Sequence, residues 1–171
     1  ALGSRKTHAR RLERLRTEIE TAPDKGARAI LLSAQGRAFC AGADLSGQAG
    51  QRDAGEKLRE HYHPVARAMQ HSRIPIVCAL RGTATGGGAG LALLSDSVVM
   101  ELTAGISFVF ARIGLVPDVG AAWLLAQSVG RARALDLLLF GDRMTGEDAR
   151  AAGLVSRLVE EGEALPHAQA L

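Results

Sequence analysis

"CALRGTATGGGAGLALLSD", residues 78–96, joins two apolar runs through a loop that contains three consecutive glycines. The run that leads into it, "IPIVCALRG" (74–82), predicts a buried strand, and "GGAGLALLSD" (87–96) predicts a helix. Glycine is costly inside regular structure, but it lets the backbone approach a ligand closely and adopt dihedral angles closed to other residues. The stretch therefore predicts a strand–loop–helix unit whose loop backbone could contact a ligand.

A second loop of small residues, "GRAFCAGADLS" (36–46), follows the apolar run "ARAILLSA" (27–34). That run is typical of a strand buried on both faces. A loop that feeds a helix N-terminus directs unpaired N–H groups outward, and two such loops side by side could hold a developing oxyanion between two backbone donors. The alternative is that the glycines begin a helix for tight packing only.

Phosphate-binding loops fit the glycine run poorly. The Walker pattern needs Lys followed by Ser or Thr after its last glycine, and this sequence has no such pair. Leu91 and Leu93 occupy the last place of a dinucleotide fingerprint begun at Gly86 or Gly88. The loop is therefore not interpreted as a nucleotide site.

Elsewhere, predicted strands alternate with predicted helices, which favours an α/β fold with crossover connections. In "TGEDARAAG" (145–153), Thr145 and Asp148 have capping-box spacing and Gly153 is a helix stop. Residues 46–55 and the last dozen give the weakest pattern. Helices are predicted at 8–20, 54–72 with a kink or internal start at Pro64, 119–130, 131–141 and 145–153, and strands at 97–102, 106–111 and 154–159.

Composition narrows the function classes. No apolar run approaches the ~20 residues needed to cross a bilayer, and no signal peptide is evident, so we expect a cytoplasmic protein with no membrane partner. The arginine-rich start indicates a solvated helix face, with a transit peptide as the alternative. A net charge of +3 with 4% aromatic residues argues against nucleic acid. Cys40 and Cys78 suggest buried free thiols, and no metal-ligand spacing occurs.

Three segments together resemble the crotonase, or enoyl-CoA hydratase/isomerase, superfamily: "RAFCAGADLS" (37–46), "GTATGGGAGLALLSD" (82–96) and "IGLVPDVGAAWLL" (113–125) with the residues after it. The resemblance runs from about Ala1 to Val159. It implies a single crotonase-like domain over 1–171 with a ββα-superhelix core, lacking the family's first strands and C-terminal helices. It also implies an acyl-CoA thioester substrate, no separate cofactor or metal, and a homotrimer or hexamer.

In this family, two backbone N–H groups polarise the thioester carbonyl and stabilise an enolate. The resemblance implies that Ala43 and Gly87 supply them here, ordinary turn geometry being the alternative. Asp44 is expected to brace its loop, and Trp123 to belong to the core or the acyl-pocket wall. The candidate substrate-binding residues are Ala41, Asp44, Leu45, Gly86 and Trp123.

The sequence departs from the family's hydratases at both catalytic glutamates. Gly90 and Phe110 occupy the matching places, and neither residue titrates. Asp118, in "GLVPDVG" (114–120), is the remaining candidate for general acid and base, because some family isomerases have a single acid at this point. Its alternative is an N-cap. The segment "IGLVPD" (113–118) closely resembles the corresponding segment of the phenylacetate-pathway isomerases.

The resemblance thus favours an enoyl-CoA isomerase that uses Asp118 with the amides of Ala43 and Gly87. An enoyl-CoA hydratase that activates water differently is the first alternative. A catalytically silent acyl-CoA-binding subunit is the second.

Overall fold

The chain forms two β-sheets and eight α-helices in a computed structural model that describes residues 5–43 and 54–171. The four-stranded sheet has the order β1-β2-β4-β7 and is parallel throughout. The three-stranded sheet has the order β3-β5-β6, with β3 parallel and β6 antiparallel to β5. The strands are β1 (Ile30–Ser33), β2 (Ile76–Leu80), β3 (Thr83–Thr85), β4 (Ser97–Glu101), β5 (Gly105–Ser107), β6 (Met144–Thr145) and β7 (Arg157–Val159).

Helices α4 (Gly87–Leu93) and α5 (Ala121–Val129) each follow a pair of strands, one from each sheet. Only residues 81–82 separate β2 from β3, so the chain leaves one sheet and enters the other within two residues before its next helix begins. A π-helical turn, Leu58–Tyr62, and two 3-10 turns, Pro23–Lys25 and Ala111–Ile113, complete the secondary structure. The helices are α1 (Arg5–Thr21), α2 (Ala54–Lys57), α3 (His63–Gln70), α4 (Gly87–Leu93), α5 (Ala121–Val129), α6 (Arg131–Phe140), α7 (Gly146–Ala151) and α8 (Ala164–Gln169).

The α/β class expected from the sequence is confirmed. The central strands β2 and β4 are apolar and largely buried, as the sequence predicts for a parallel sheet covered on both faces. Both cysteines are free; Cys78 lies in the core, where burial raises the pKa of its thiol to about 12, whereas Cys40 is only half-buried. No helix among residues 5–43 and 54–171 is both long and apolar enough to cross a bilayer.

Three sequence-based expectations about the fold are wrong in part. The strand at 27–34 is not buried on both faces: β1, which is at the edge of the four-stranded sheet formed by the described residues, is half-exposed. The strand predicted at 106–111 ends at Ser107, since its partner β3 is three residues long and can extend the ladder no further. The strand predicted at 154–159 is limited to β7.

Helix boundaries agree better, because local side-chain chemistry sets them. Pro64 lies in the first turn of α3, directly after the π-helical turn, and so begins a helix there. Thr145 and Asp148 form the predicted capping box: the Asp148 N–H donates to Thr145 Oγ1 (3.1 Å), and the Thr145 N–H donates to Asp148 Oδ2 (3.2 Å). Helix α8, near the chain's last residue, was not predicted.

Thr145→Ala is expected to lower the free energy of unfolding by ~1 kcal/mol, because loss of an N-cap hydroxyl leaves a backbone donor of α7 without its acceptor. Urea denaturation measures the change. Thr17→Ala is the matched control, since the Thr17 hydroxyl bonds to the Glu13 carbonyl inside α1, where alanine is the better helix former. Equal losses in both variants would contradict the capping argument.

Candidate active site

The two glycine loops lie side by side because Cys40 pairs with the start of the second loop. Cys40 forms a parallel bridge with Ala84: its N–H donates to the Thr83 carbonyl (3.1 Å), and its carbonyl accepts the Thr85 N–H (2.8 Å). Residues 41–43 therefore run past the end of β3. A Cβ placed on Gly42 would lie 3.6 Å from the Gly87 nitrogen. The residue before Ala43 is thus in contact with the first residue of α4.

The three consecutive glycines differ in what the structure requires of them: one needs an unusual backbone conformation, one needs the absence of a side chain, and one has neither constraint. Gly86 has φ 56° and ψ −125°, a backbone conformation open essentially only to glycine. A Cβ on Gly88 would lie 2.4 Å from the Cys40 carbonyl oxygen, so Gly88 is required for the approach of the two loops. Gly87 has neither constraint. Its N–H belongs to the first turn of α4, where the helix offers no carbonyl partner.

Gly87 faces a wall formed by three side chains. A Cβ on Gly87 would lie 3.6 Å from Asp118 Oδ1, 3.6 Å from Val119 Cγ2 and 3.8 Å from Tyr62 Cε1. These are ordinary van der Waals separations. The backbone of Gly87 and the carboxylate of Asp118 therefore border the same small space, as expected for a donor and a proton carrier that act on one substrate.

Asp118 has the properties of a functional acid rather than a helix cap. Its Oδ1 atom is buried and has no hydrogen-bond partner among the described residues, and burial raises the pKa of this carboxyl to about 6, against a lowering effect of its own backbone N–H. Gly120 occupies the N-cap position of α5, and Ala121 N–H bonds to the Asp118 backbone carbonyl (2.9 Å), not to the side chain. The N-cap alternative is therefore wrong.

Gly90 and Phe110, which the resemblance matches to the glutamates of family hydratases, are both enclosed by neighbouring atoms. A Cβ on Gly90 would lie 2.9 Å from both the Cβ and the carbonyl oxygen of Val119. Phe110 is 4% exposed and belongs to the main hydrophobic cluster, with Cε1 4.0 Å from a Cβ placed on Gly86. The carboxylate atom among the nearest neighbours of a Cβ on Gly87 is instead Asp118 Oδ1, at 3.6 Å.

Tyr62 borders the site and was not among the residues predicted from the sequence. It ends the π-helical turn, and π turns frequently occur at functional sites. No periodicity reveals such a turn in advance, because it depends on one extra residue per turn rather than on residue type. The only available signal was that Tyr62 is the single tyrosine of the chain.

The other candidate residues divide into three groups. Gly86 is buried beside Gly87, and Ala41 is exposed on the neighbouring loop. Trp123 is 62% exposed on α5, so its interpretation as a core residue is wrong; a role at the acyl pocket stays a prediction. Asp44 and Leu45 lie outside the described residues. The structure thus brings Gly86, Gly87 and Asp118 together, with Ala41 and Ala43 on the adjoining loop.

Two further polar residues have structural partners. Asp96 Oδ2 accepts the Ile76 N–H (2.7 Å) at the start of β2. Arg112 donates to the Phe140 carbonyl and forms an ion pair with Asp142 (2.9 Å). Among the residues that the structure describes, no group of three His, Cys, Asp or Glu side chains is placed to hold a metal ion.

Comparison with known proteins identifies relatives over most of the chain. The family model described as enoyl-CoA hydratase/isomerase matches residues 12–171. The chain is 41% identical to a "Probable enoyl-CoA hydratase" of Rhodobacter capsulatus (79% of this chain, 53% of the relative). It is 36% identical to the 1,2-epoxyphenylacetyl-CoA isomerase of Escherichia coli (86% of this chain, 58% of the relative).

Solved structures agree with this likeness. A crystal structure of an enoyl-CoA hydratase from Mycobacterium smegmatis matches with a TM-score of 0.84 and 30% identity, covering 93% of this chain and 63% of that one. The chain therefore spans between half and two thirds of the length of these relatives.

Asp118→Asn is expected to stabilise the protein at pH 8 and to have little effect near pH 4. A folded-state pKa of about 6, above the ~3.9 of an unfolded aspartate, means that the folded state binds the proton more tightly. The free energy of unfolding of the wild type therefore falls as pH rises from about 4 through 6. Asparagine does not ionise, so the variant does not show this fall. The difference in melting temperature between wild type and variant is measured at both pH values. Asp136→Asn, at an exposed position of α6, is the control; a pH-independent effect of Asp118→Asn would contradict the assignment.

Proposed function

This chain belongs to the enoyl-CoA hydratase/isomerase family, and from that premise we propose that it carries an enoyl-CoA isomerase site in which Asp118 moves a proton. The observation that carries the proposal is the buried Oδ1 atom of Asp118, which has no hydrogen-bond partner among the described residues and lies 3.6 Å from a Cβ placed on Gly87. A carboxylate left unpaired in a partly apolar environment costs stability, so its retention favours a functional role.

The proposed reaction is a proton transfer along an acyl chain bound as a CoA thioester. Asp118, ionised, takes a proton from the γ-carbon or the α-carbon, and the electron pair moves through the double bond onto the thioester oxygen. The N–H groups of Ala43 and Gly87 stabilise that oxygen as the enolate forms. Protonated Asp118 then returns the proton to the other carbon, so the double bond migrates and no atom is gained or lost.

The raised pKa of Asp118 suits both halves of this cycle. A pKa of about 6 leaves the carboxyl mostly ionised at neutral pH and makes it a stronger base than an ordinary aspartate, while the value stays close enough to neutral for the proton to be returned. The reaction is redox-neutral and needs no separate cofactor, since CoA enters as part of the substrate.

Hydration is the second candidate, and the packing of the site argues against it. Positioning a water molecule by two carboxylates requires titratable groups at residues 90 and 110, where Gly90 is covered by Val119 and Phe110 is buried in the core. The relatives include a protein with isomerase in its name and proteins named as hydratases, so the reaction must be decided by assay. A silent acyl-CoA-binding subunit is the remaining alternative.

We also propose a homotrimer or hexamer located in the cytoplasm. Support for assembly comes from the exposed apolar side chains of α6, of which Leu139 and Phe140 are 59% and 60% exposed. Exposed apolar residues grouped on one helix are typical of surfaces that another element covers.

Asp118→Asn is expected to lower kcat/KM for the isomerisation of a 3-enoyl-CoA by a factor of ~10²–10⁴, because general acid–base catalysis contributes that much. In the wild type, the rate should rise with pH through about 6 as the carboxyl ionises. Conversion of 3-enoyl-CoA to 2-enoyl-CoA is followed spectroscopically, with Asp136→Asn as the control.

Three outcomes would overturn the assignment. Full isomerase activity in Asp118→Asn would exclude Asp118 as the proton carrier. Hydration of 2-enoyl-CoA without double-bond migration would identify a hydratase. Binding of CoA thioesters by the wild type with no turnover would identify a silent subunit.

Gly87→Ala is expected to fold normally and to lose activity. The added methyl would stand 3.6–3.8 Å from its neighbours, so the free protein accommodates it, and alanine favours the helix. The same methyl would occupy the space between Gly87 and Asp118 that the acyl group needs, so kcat/KM should fall by a factor on the order of 10², as when one oxyanion donor is lost.

Gly88→Ala is the contrasting variant, because its methyl would collide with the Cys40 carbonyl and destabilise the fold. Melting temperature and kcat/KM are measured for both variants. Wild-type activity in a folded Gly87→Ala variant would show that substrate does not bind against Gly87.

A further inference from the structure

We propose that Val119 is a positioning residue for Asp118. We also propose that Gly90, which has no side chain, leaves the space on α4 in which Val119 is held. The proposal rests on the proposed function, because it concerns how the carboxylate of Asp118 is aimed at the substrate. It also gives Gly90 a role of its own: it provides the space that Val119 needs.

The backbone of Val119 is strained. Its φ of 50° lies in the left-handed region, and among the described residues it is the only one other than glycine with a positive φ. A β-branched residue in that region is an outlier, and such conformations persist only where the surroundings over-determine them. Because Val119 directly follows Asp118, its backbone conformation fixes the direction in which the chain presents the carboxylate.

The surroundings that hold Val119 can be identified. Its side chain is 2% exposed and packs in a cluster between α1, α3 and the start of β2. Its Cβ and its carbonyl oxygen both lie within 2.9 Å of where a Cβ on Gly90 would be. Val119 therefore packs against the apolar cluster on one side and against the backbone of α4 at Gly90 on the other.

Gly90, which contacts Val119, and Gly87, which lies beside Asp118, are on one face of α4. Gly87 and Gly90 are three residues apart in α4, so they lie on the same face, one turn apart. Val119 contacts both positions: its Cγ2 is 3.6 Å from a Cβ on Gly87, and its Cβ is 2.9 Å from a Cβ on Gly90. The contact at Gly90 thus sets the separation between Asp118 and Gly87.

A purely structural role for Val119 predicts different behaviour. If Val119 only filled space, substitutions that loosen its packing would lower stability and leave the reaction unchanged. If it aims Asp118, displacing it changes kcat and the pH dependence of the rate while the affinity for the CoA portion of the substrate is kept.

The experiment displaces Val119 with a methyl group at residue 90 and then removes the Val119 side chain to relieve the collision. Gly90→Ala introduces a methyl that collides with Val119; it is expected to lower kcat by ~10–100-fold, the cost of a misplacement of about 1 Å, with KM within a few-fold of wild type. The midpoint of the pH–rate profile should fall below that of the wild type as the carboxylate moves towards solvent. Gly90→Ala combined with Val119→Gly should recover part of the lost rate, because the colliding Val119 side chain is removed.

Val119→Gly alone keeps the proposal testable where Gly90→Ala fails to fold, since glycine adopts a φ of 50° without strain. It is expected to lower kcat roughly tenfold through a less fixed Asp118. Val65→Ala is the matched control: Val65 belongs to the same cluster and is 1% exposed, so its truncation should lower stability and leave kcat and the pH midpoint unchanged.

Wild-type kcat and pH midpoint in folded Gly90→Ala or in Val119→Gly would overturn the positioning role. So would a loss of activity in Val65→Ala that matches Val119→Gly, because packing alone would then explain it. Failure of the proposed function is separate: it would be seen as full isomerase activity in Asp118→Asn, whatever the Val119 variants do.

Discussion

The site depends on the backbone of Cys40 lying directly against the backbone of α4. The Cys40 carbonyl bonds to the Thr85 N–H and, with the Cys40 side chain, lies where a side chain on Gly88 would be, so the two loops are in direct contact. This contact places residues 41–43 beside the first turn of α4. Any side chain at Gly88 would separate the loops and move residues 41–43 away from Gly87.

The site has low local stability that the surrounding core must offset. A buried carboxylate oxygen without a hydrogen-bond partner at Asp118 and a strained backbone at Val119 are adjacent in the chain, and each is unfavourable by itself. Val119 is nevertheless deeply buried in an apolar cluster, so the energy that holds it in the strained conformation comes from packing. Such a concentration of unfavourable features beside well-packed elements is typical of active sites, where stability is given up for geometry.

The sequence predicted the parts of this site that depend on residue type and order. It predicted two glycine loops after two strands, because composition and spacing reveal these directly, whereas the acid at Asp118 was implied by the family resemblance. It could not assign different roles to Gly86, Gly87 and Gly88, since dihedral angle and close approach depend on atoms from distant parts of the chain. Tyr62 at the site was not predicted. Trp123 was interpreted as a core or pocket residue, because apolar character does not reveal which face of a helix its neighbours cover.

The glycine at residue 90 is coupled to the backbone of another segment. Val119 fills the space that a side chain at residue 90 would need, and its carbonyl oxygen as well as its side chain is in the way. A larger side chain at residue 90 would therefore require the segment that carries Asp118 to move. This backbone can hold Asp118 beside Gly87 or a side chain at residue 90, but not both. Glycine at residue 90 is thus part of the geometry that places Asp118 against α4.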